Sequence, residues 1–262
     1  MKRPSIRLVF LLTILSSLLP NAPAQSLLNI DFGVGSRSPK TGFAATGQTT
    51  NDFWNLYRHY DPKFVPGEGM ISDGRLADLK QADGSASRVI VSVTNAPGVW
   101  GNASGDPMYD TYIFSQNGSN ITVTISRLEK GHYQFYLYGH ADPDVTAEQN
   151  SVFTLRTGTN TLGPVGTLGS AGWKATSPWQ ERSQYIVFRD VPVESETPVV
   201  IEVAAGPNGV PVLNGMQIIS RGTSPPRLAV AAAAKNPSTL TNLMFNEIRY
   251  EGKVPTLKRA LP

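Results

Sequence analysis

A chain of 262 residues without cysteine cannot use a thiol nucleophile, a redox pair or a thiolate metal site, and must hold together by core burial. Charged residues make up only 16%, while 24 glycines and 20 prolines point to a turn-rich rather than a helical protein. The formal charge of +3 hides two unlike parts: residues 25–220 carry 13 Lys/Arg against 18 Asp/Glu, and residues 221–262 carry 7 against 2. The acidic body gives no electrostatic reason to bind nucleic acid.

The chain opens with a basic start (Lys2, Arg3, Arg7), an uncharged apolar run over residues 8–19, and Ala22-Pro23-Ala24. That order is the pattern of a secretory signal peptide cut before Gln25. The run is too short for a stable bilayer span, which needs about 20 residues. The expected location is outside the cytoplasm: secreted, periplasmic or at the cell surface. Removing residues 1–24 from 262 leaves 238, enough for one domain (25–220) and an appendage.

Strand-like stretches follow at 27–32, 88–94, 120–127, 133–138, 151–156, 185–193, 199–204 and 212–219, each bounded by Gly, Pro, Asn or Asp. In 121–125, Ile121, Val123 and Ile125 alternate with Thr122 and Thr124, the period of a half-buried strand. Glu129-Lys130-Gly131 reads as the turn of a hairpin joining 120–127 to 133–138. Residues 33–86 are weakly patterned, with a short helix or irregular strands expected around 52–57. Many short strands with turn-rich connections mean an all-β sandwich or barrel. After Arg221 come Pro225-Pro226, an alanine-rich run and a basic end, so 221–262 reads as a linker and a flexible or loosely docked tail.

Several groups could carry chemistry. Gly33-Val34-Gly35 follows a strand but Ser38 stands where a dinucleotide fingerprint needs glycine, so a turn is the better reading. His140, Asp142, Asp144, Glu148 and Asn150 form the densest polar group; Asp142, Asp144 and Glu148 are the oxygen ligands that a structural calcium would take there, against a plain solvated loop. Asp106 with Asp110, or Asp142 with Glu148, are the pairs a glycosidase could use if they faced each other. Trp54, Trp100, Trp173 and Trp179 lie among amides and charges, a mix suited to sugars: rings stack on the apolar faces of a pyranose while polar neighbours bond its hydroxyls. The glycine-rich surroundings of Trp100 and Trp173 mark these two for exposure. The competing role for any of the four is core packing.

Residues 28–33 (LNIDFG) and 212–218 (VLNGMQI), together with 105–112 (GDPMYDTY), 135–140 (FYLYGH) and 185–188 (YIVF), resemble exported bacterial malectin-like, galactose-binding-like domains over about residues 27–220. The resemblance implies a jelly-roll β-sandwich, first and last strands side by side with Asp31 near Asn214, glycan binding through loops, and often a structural calcium. No calcium-ligating set of acids is evident on the first strand.

The expectation is therefore an exported, non-catalytic carbohydrate-binding module for polysaccharide or cell-envelope glycan. Trp100 and Trp173 would stack on sugar, while Asp106, His140, Asp142 and Asn150 would bond hydroxyls. The alternatives are a structural or adhesive envelope module that docks a protein partner through 221–262, and a glycoside hydrolase-like enzyme.

Overall fold

The structure, a computed structural model, describes residues 26–33, 40–58, 73–101, 104–116, 118–141, 150–167, 174–207 and 209–221. Residues 1–25, Asp142, Asp144, Glu148, Trp173 and residues 222–262 lie outside the described residues. All described elements are strands: β1 (Leu27–Gly33), β2 (Asn55–Arg58), β3 (Gly74–Leu76), β4 (Ile90–Thr94), β5 (Gly98–Gly101), β6 (Thr111–Phe114), β7 (Ile121–Ser126), β8 (Gly131–Tyr138), β9 (Ser151–Thr157), β10 (Asn160–Gly166), β11 (Ile186–Val193), β12 (Val199–Ala205), β13 (Val212–Leu213) and β14 (Gly215–Ser220).

They form a β-sandwich. One sheet runs β11-β8-β14-β1-β2, the other β10-β9-β12-β7-β4-β3, and a small third sheet runs β13-β6-β5. The two large sheets share one apolar interior, in which Ile30, Phe32, Phe135, Leu137 and Ile218 of the first meet Val91, Val123, Ile125, Phe153 and Ile201 of the second. The period-two pattern explains it: in β7 the residues at 121, 123 and 125 are buried and the intervening threonines half-exposed. Each large apolar side chain so buried contributes roughly 1.5–3 kcal/mol.

Strand β1 departs from that alternation, because all seven of its residues are buried. Leu28, Ile30 and Phe32 face the core, while Asn29 and Asp31 point to the other side of the sheet. A loop, residues 40–54, covers that side. Asn29 Nδ2 donates to the Phe53 carbonyl (3.0 Å), Gln217 Nε2 donates to Asn29 Oδ1 (2.8 Å) and to the Thr46 carbonyl (3.1 Å), and the Ala45 amide donates to Tyr138 Oη (3.1 Å). Each buried amide in this ladder has a partner, which is what makes a polar outer layer tolerable.

The first and last strands pair antiparallel, with Asp31 opposite Gly215 and the Phe32 amide donating to the Asn214 carbonyl at 2.7 Å. Asn214 also breaks the expected strand 212–219 in two. Its Nδ2 donates to the Thr111 carbonyl (3.0 Å) and its Oδ1 accepts the His140 amide (2.8 Å), so β13 joins the small sheet while β14 enters the large one.

One local expectation changes and one open alternative is decided. Residues 120–127 and 133–138 do not form a hairpin: β7 pairs with β4 and β12, β8 with β11 and β14, so the connection crosses between sheets. Arg127 adopts φ 63° and Leu128 is buried, redirecting the chain across the sandwich edge rather than back along the same sheet. Of the short helix or irregular strands expected around 52–57, the strand alternative holds: β2 lies parallel to β1, and Asn55 Nδ2 ties it to the carbonyls of Asn29 (2.9 Å) and Lys80 (2.7 Å).

Candidate functional site

The covered outer face of the first sheet carries a second cluster: Ala44, Trp54, Met108, Tyr109, Tyr138 and Ala175, with Trp179, Tyr136 and Tyr185 partly buried against it. Three segments assemble it. Loop 40–54 contributes Lys40 and Trp54, whose Nε1 donates to the Gly42 carbonyl at 2.8 Å. The turn at 104–110 contributes Asp106 and Tyr109. Segment 174–185 contributes Trp179, which stacks on Tyr109 with centroids 5.8 Å apart and planes 21° from parallel. Gln184 shapes this last segment by donating to the carbonyls of Lys174 (2.8 Å) and Thr176 (2.9 Å), while the Tyr109 hydroxyl donates to the Gln184 carbonyl.

At the centre, Lys40 Nζ lies 2.5 Å from Asp106 Oδ2, with side-chain exposures of only 6% and 12%. The ammonium also stands 5.8 Å from the Trp179 ring centroid and 6.0 Å from that of Trp54, so aromatic faces supply part of what water has lost. Asp106 Oδ1 accepts the Met108 amide at 3.0 Å. Burial raises the Asp106 carboxyl above the ordinary range, and Lys40 pulls against that rise. Asp31 lies behind this pair. Its Oδ2 accepts the Lys40 amide at 3.0 Å, its Oδ1 is buried without a hydrogen-bond partner, and burial lifts its carboxyl to about 8. Burial thus favours the protonated form of Asp31, which limits the negative charge gathered beside Asp106.

Asp106 and Gly105 line an open cleft of about 550 Å³ together with Phe43, Ala44, Ala175, Thr176, Ser177 and Trp179. The arrangement offers a carboxylate oxygen flanked by two aromatic surfaces, one of them the 47% exposed Phe43.

Of the residues expected to bind ligand, Asp106 sits in this cleft. Trp100 lies elsewhere, on β5 at the edge of the small sheet, 60% exposed and opposite Tyr112. His140 and Asn150 are interior, which corrects their reading as surface groups that bond hydroxyls. They form an isolated β-bridge with each other; the His140 ring Nε2 meets the Ser183 carbonyl at 2.7 Å, and Asn150 Nδ2 donates to the Thr167 carbonyl. Desolvation lowers His140 to about 4, so it is a neutral donor pinning segment 174–185. Trp173, Asp142, Asp144 and Glu148 fall outside the described residues. Asp106 and Asp110 share one turn, the Asp110 amide donating to the Asp106 carbonyl (3.0 Å) and Asp110 Oδ1 accepting the Ser104 amide (2.8 Å) and hydroxyl (2.9 Å). Sequence reading missed Lys40 and Phe43, and named Trp179 among four candidate tryptophans while preferring Trp100 and Trp173. A lysine directly after Pro39 carries no signal of its own, because Asp106, which pairs it, is 66 residues away.

No protein-family model matches this sequence, and no curated protein matches it. Among solved structures, the chain is similar to protein YxiM of Bacillus subtilis, at 13% identity and TM-score 0.39, over 76% of this chain and 41% of that one. It is also similar to a family 35 carbohydrate-binding module from Clostridium thermocellum (15%, TM-score 0.33, 55% and 97% of the two chains). A third is TmCBM61 in complex with β-1,4-galactotriose (16%, TM-score 0.26, 51% and 85%). This chain thus spans less than half the length of YxiM.

Proposed function

We propose that this is an exported, non-catalytic carbohydrate-binding domain whose ligand enters the cleft between Phe43 and Trp179. The observation that carries the reading is the Asp106 carboxylate, held by Lys40 in the lining of a cleft with aromatic walls. A pyranose has apolar C–H faces and an equatorial rim of hydroxyls. The rings take the faces, and the free lone pairs of Asp106 accept hydroxyl protons. The carboxylate is preorganised by two bonds, to Lys40 Nζ and the Met108 amide, so little ordering is needed on binding. Trp100 offers a further stacking surface on the small sheet. The non-catalytic reading is supported by Asp106 and Asp110 lying on one turn with separate partners, whereas glycoside hydrolysis needs two carboxyls across a cleft at roughly 5–10 Å. Export rests on the leader pattern of residues 1–24.

The test is a glycan array probed with the purified chain, with calcium and again with chelator. Binding to one glycan class that falls in Asp106→Asn and Phe43→Ala supports the reading. Loss in chelator adds the calcium expected at Asp142, Asp144 and Glu148. A blank array from folded protein rejects it in favour of a structural module that docks a protein partner through residues 221–262.

A further inference from the structure

Trp179, a wall of the cleft, is also one end of a row of aromatic contacts. On the outer face of the first sheet, Trp179 meets Tyr138 at a centroid distance of 5.8 Å, Tyr138 meets Tyr185 at 5.9 Å, and Tyr185 meets Tyr136 at 5.7 Å with planes 32° apart. Tyr138 is fully buried and forms the base of this row; Trp179, Tyr185 and Tyr136 are each half-buried and stand at its surface. Strand geometry fixes that arrangement. Ile186 and Phe188 of β11 face the core, which turns Tyr185 and Arg189 outward, and in β8 Phe135 and Leu137 face inward while Gln134, Tyr136 and Tyr138 face out.

Polar side chains with fixed orientation flank the row. Arg189 makes a two-point pair with Glu181 (2.8 and 2.5 Å). On the other flank, Gln134 donates to Tyr136 Oη at 3.2 Å and its oxygen accepts Arg221 Nε at 3.0 Å, once its amide is oriented to satisfy both neighbours. Planar aromatic surface edged by guanidinium, carboxylate and carboxamide groups is chemistry for a polyol with flat apolar faces, not for an aliphatic or purely ionic partner.

We infer that the Tyr185–Tyr136 surface extends the cleft into a track that holds successive sugar units of one glycan chain, so that the domain recognises the interior of a polysaccharide rather than a chain end or a free monosaccharide. The inference rests on the carbohydrate reading of the cleft. Trp179 belongs to both the cleft and the aromatic row, and the buried Tyr138 ring is the shared support that holds Trp179 and Tyr185 side by side on the outer face. The Tyr185 ring follows and its hydroxyl, like that of Tyr136, is placed to bond the sugar rim. Arg189 and Glu181, already paired, meet hydroxyls without ordering two long side chains at the moment of binding.

The experiment uses the purified full chain in native gels cast with soluble β-1,4-galactan, xylan or glucomannan, followed by calorimetry with the disaccharide and hexasaccharide of the retarding polymer. The hexasaccharide is expected to bind at least about tenfold tighter than the disaccharide, and Tyr136→Ala to remove about tenfold of hexasaccharide affinity while leaving the disaccharide unchanged. Tyr136→Phe, which keeps the ring, should retain most of the affinity, and thermal melts of both variants report whether the fold is intact. Retardation with equal affinity for the two lengths, or hexasaccharide binding indifferent to Tyr136→Ala and Tyr185→Ala, overturns the track and leaves the cleft standing. Absence of retardation in all three gels overturns the track, and the carbohydrate reading of the cleft falls with it only if the glycan array is blank as well.

Discussion

Lys40 Nζ and Asp106 Oδ2 lie 2.5 Å apart at the boundary between two chain segments that meet only in the folded protein, and both side chains are almost wholly withdrawn from water. A buried pair of this kind is weak as a source of net stability, yet costly to break, because the survivor is left as a charge without a counter-charge. It is better understood as a device that fixes the carboxylate in the cleft.

Lys40→Met should accordingly destabilise the domain by about 3–5 kcal/mol, and adding Asp106→Asn should recover more than half of that loss. Urea denaturation at pH 7 reads both values. A single-variant cost near zero would show that Asp106 does not depend on Lys40.

Asp31 sets an alkaline dependence. Its carboxyl rises from 3.8 to about 8 on folding, chiefly through burial, so the folded state holds a proton that the unfolded chain releases. Stability from this group is complete below pH 3.8 and is lost as pH rises towards 8. Asp31→Asn keeps the shape and cannot ionise. Between pH 5 and 8 the wild-type urea midpoint should fall more steeply than that of the variant; parallel curves would place the proton elsewhere.

His140 acts in the opposite direction. Burial lowers its folded value to about 4 from 6.5, so the unfolded chain takes up a proton first, and stability is lost as pH falls from 6.5 towards 4. Melting temperatures of wild type and His140→Gln across pH 4–7 should converge at the acid end. The variant keeps a donor for the Ser183 carbonyl, so a collapse of its stability at pH 7 would instead show that the ring's shape is what the interior requires.

Trp100→Ala removes an exposed ring from an edge strand and should change stability by no more than about 0.5 kcal/mol. If Trp100 stacks on glycan, retention on the polysaccharide that the domain recognises should drop with no change in melting temperature. Unchanged retention would confine binding to the outer face of the first sheet.

Much of the architecture was readable in order along the chain. Alternation at Ile121, Val123 and Ile125 is a local property, set by the two-residue repeat of an extended backbone, and the eight expected strand stretches all contain observed strands. The strands that escaped reading are those where the pattern is short or interrupted: β3, β5, β6 and β10. In β10 all seven residues are exposed or half-exposed, so no apolar face is present to betray it.

The sequence by itself determined an all-β chain with Asp106 beside aromatics. Pairing was a different matter, and so was burial. Trp54 and Trp100 are the same residue in similarly polar company, yet one is 1% exposed and the other 60%. Loop 40–54 folds back over β1 and buries its own Trp54 against Met108, Tyr109 and Tyr138, while the small sheet leaves Trp100 at an edge. In the same way His140 and Asn150 became an interior bridge, and Lys40 became the partner of Asp106, through contacts between segments far apart in the chain. Backbone periodicity acts between neighbours and is written in the order of residues. Solvent exposure is decided by whatever the rest of the chain lays on top, and only the tertiary structure decided that.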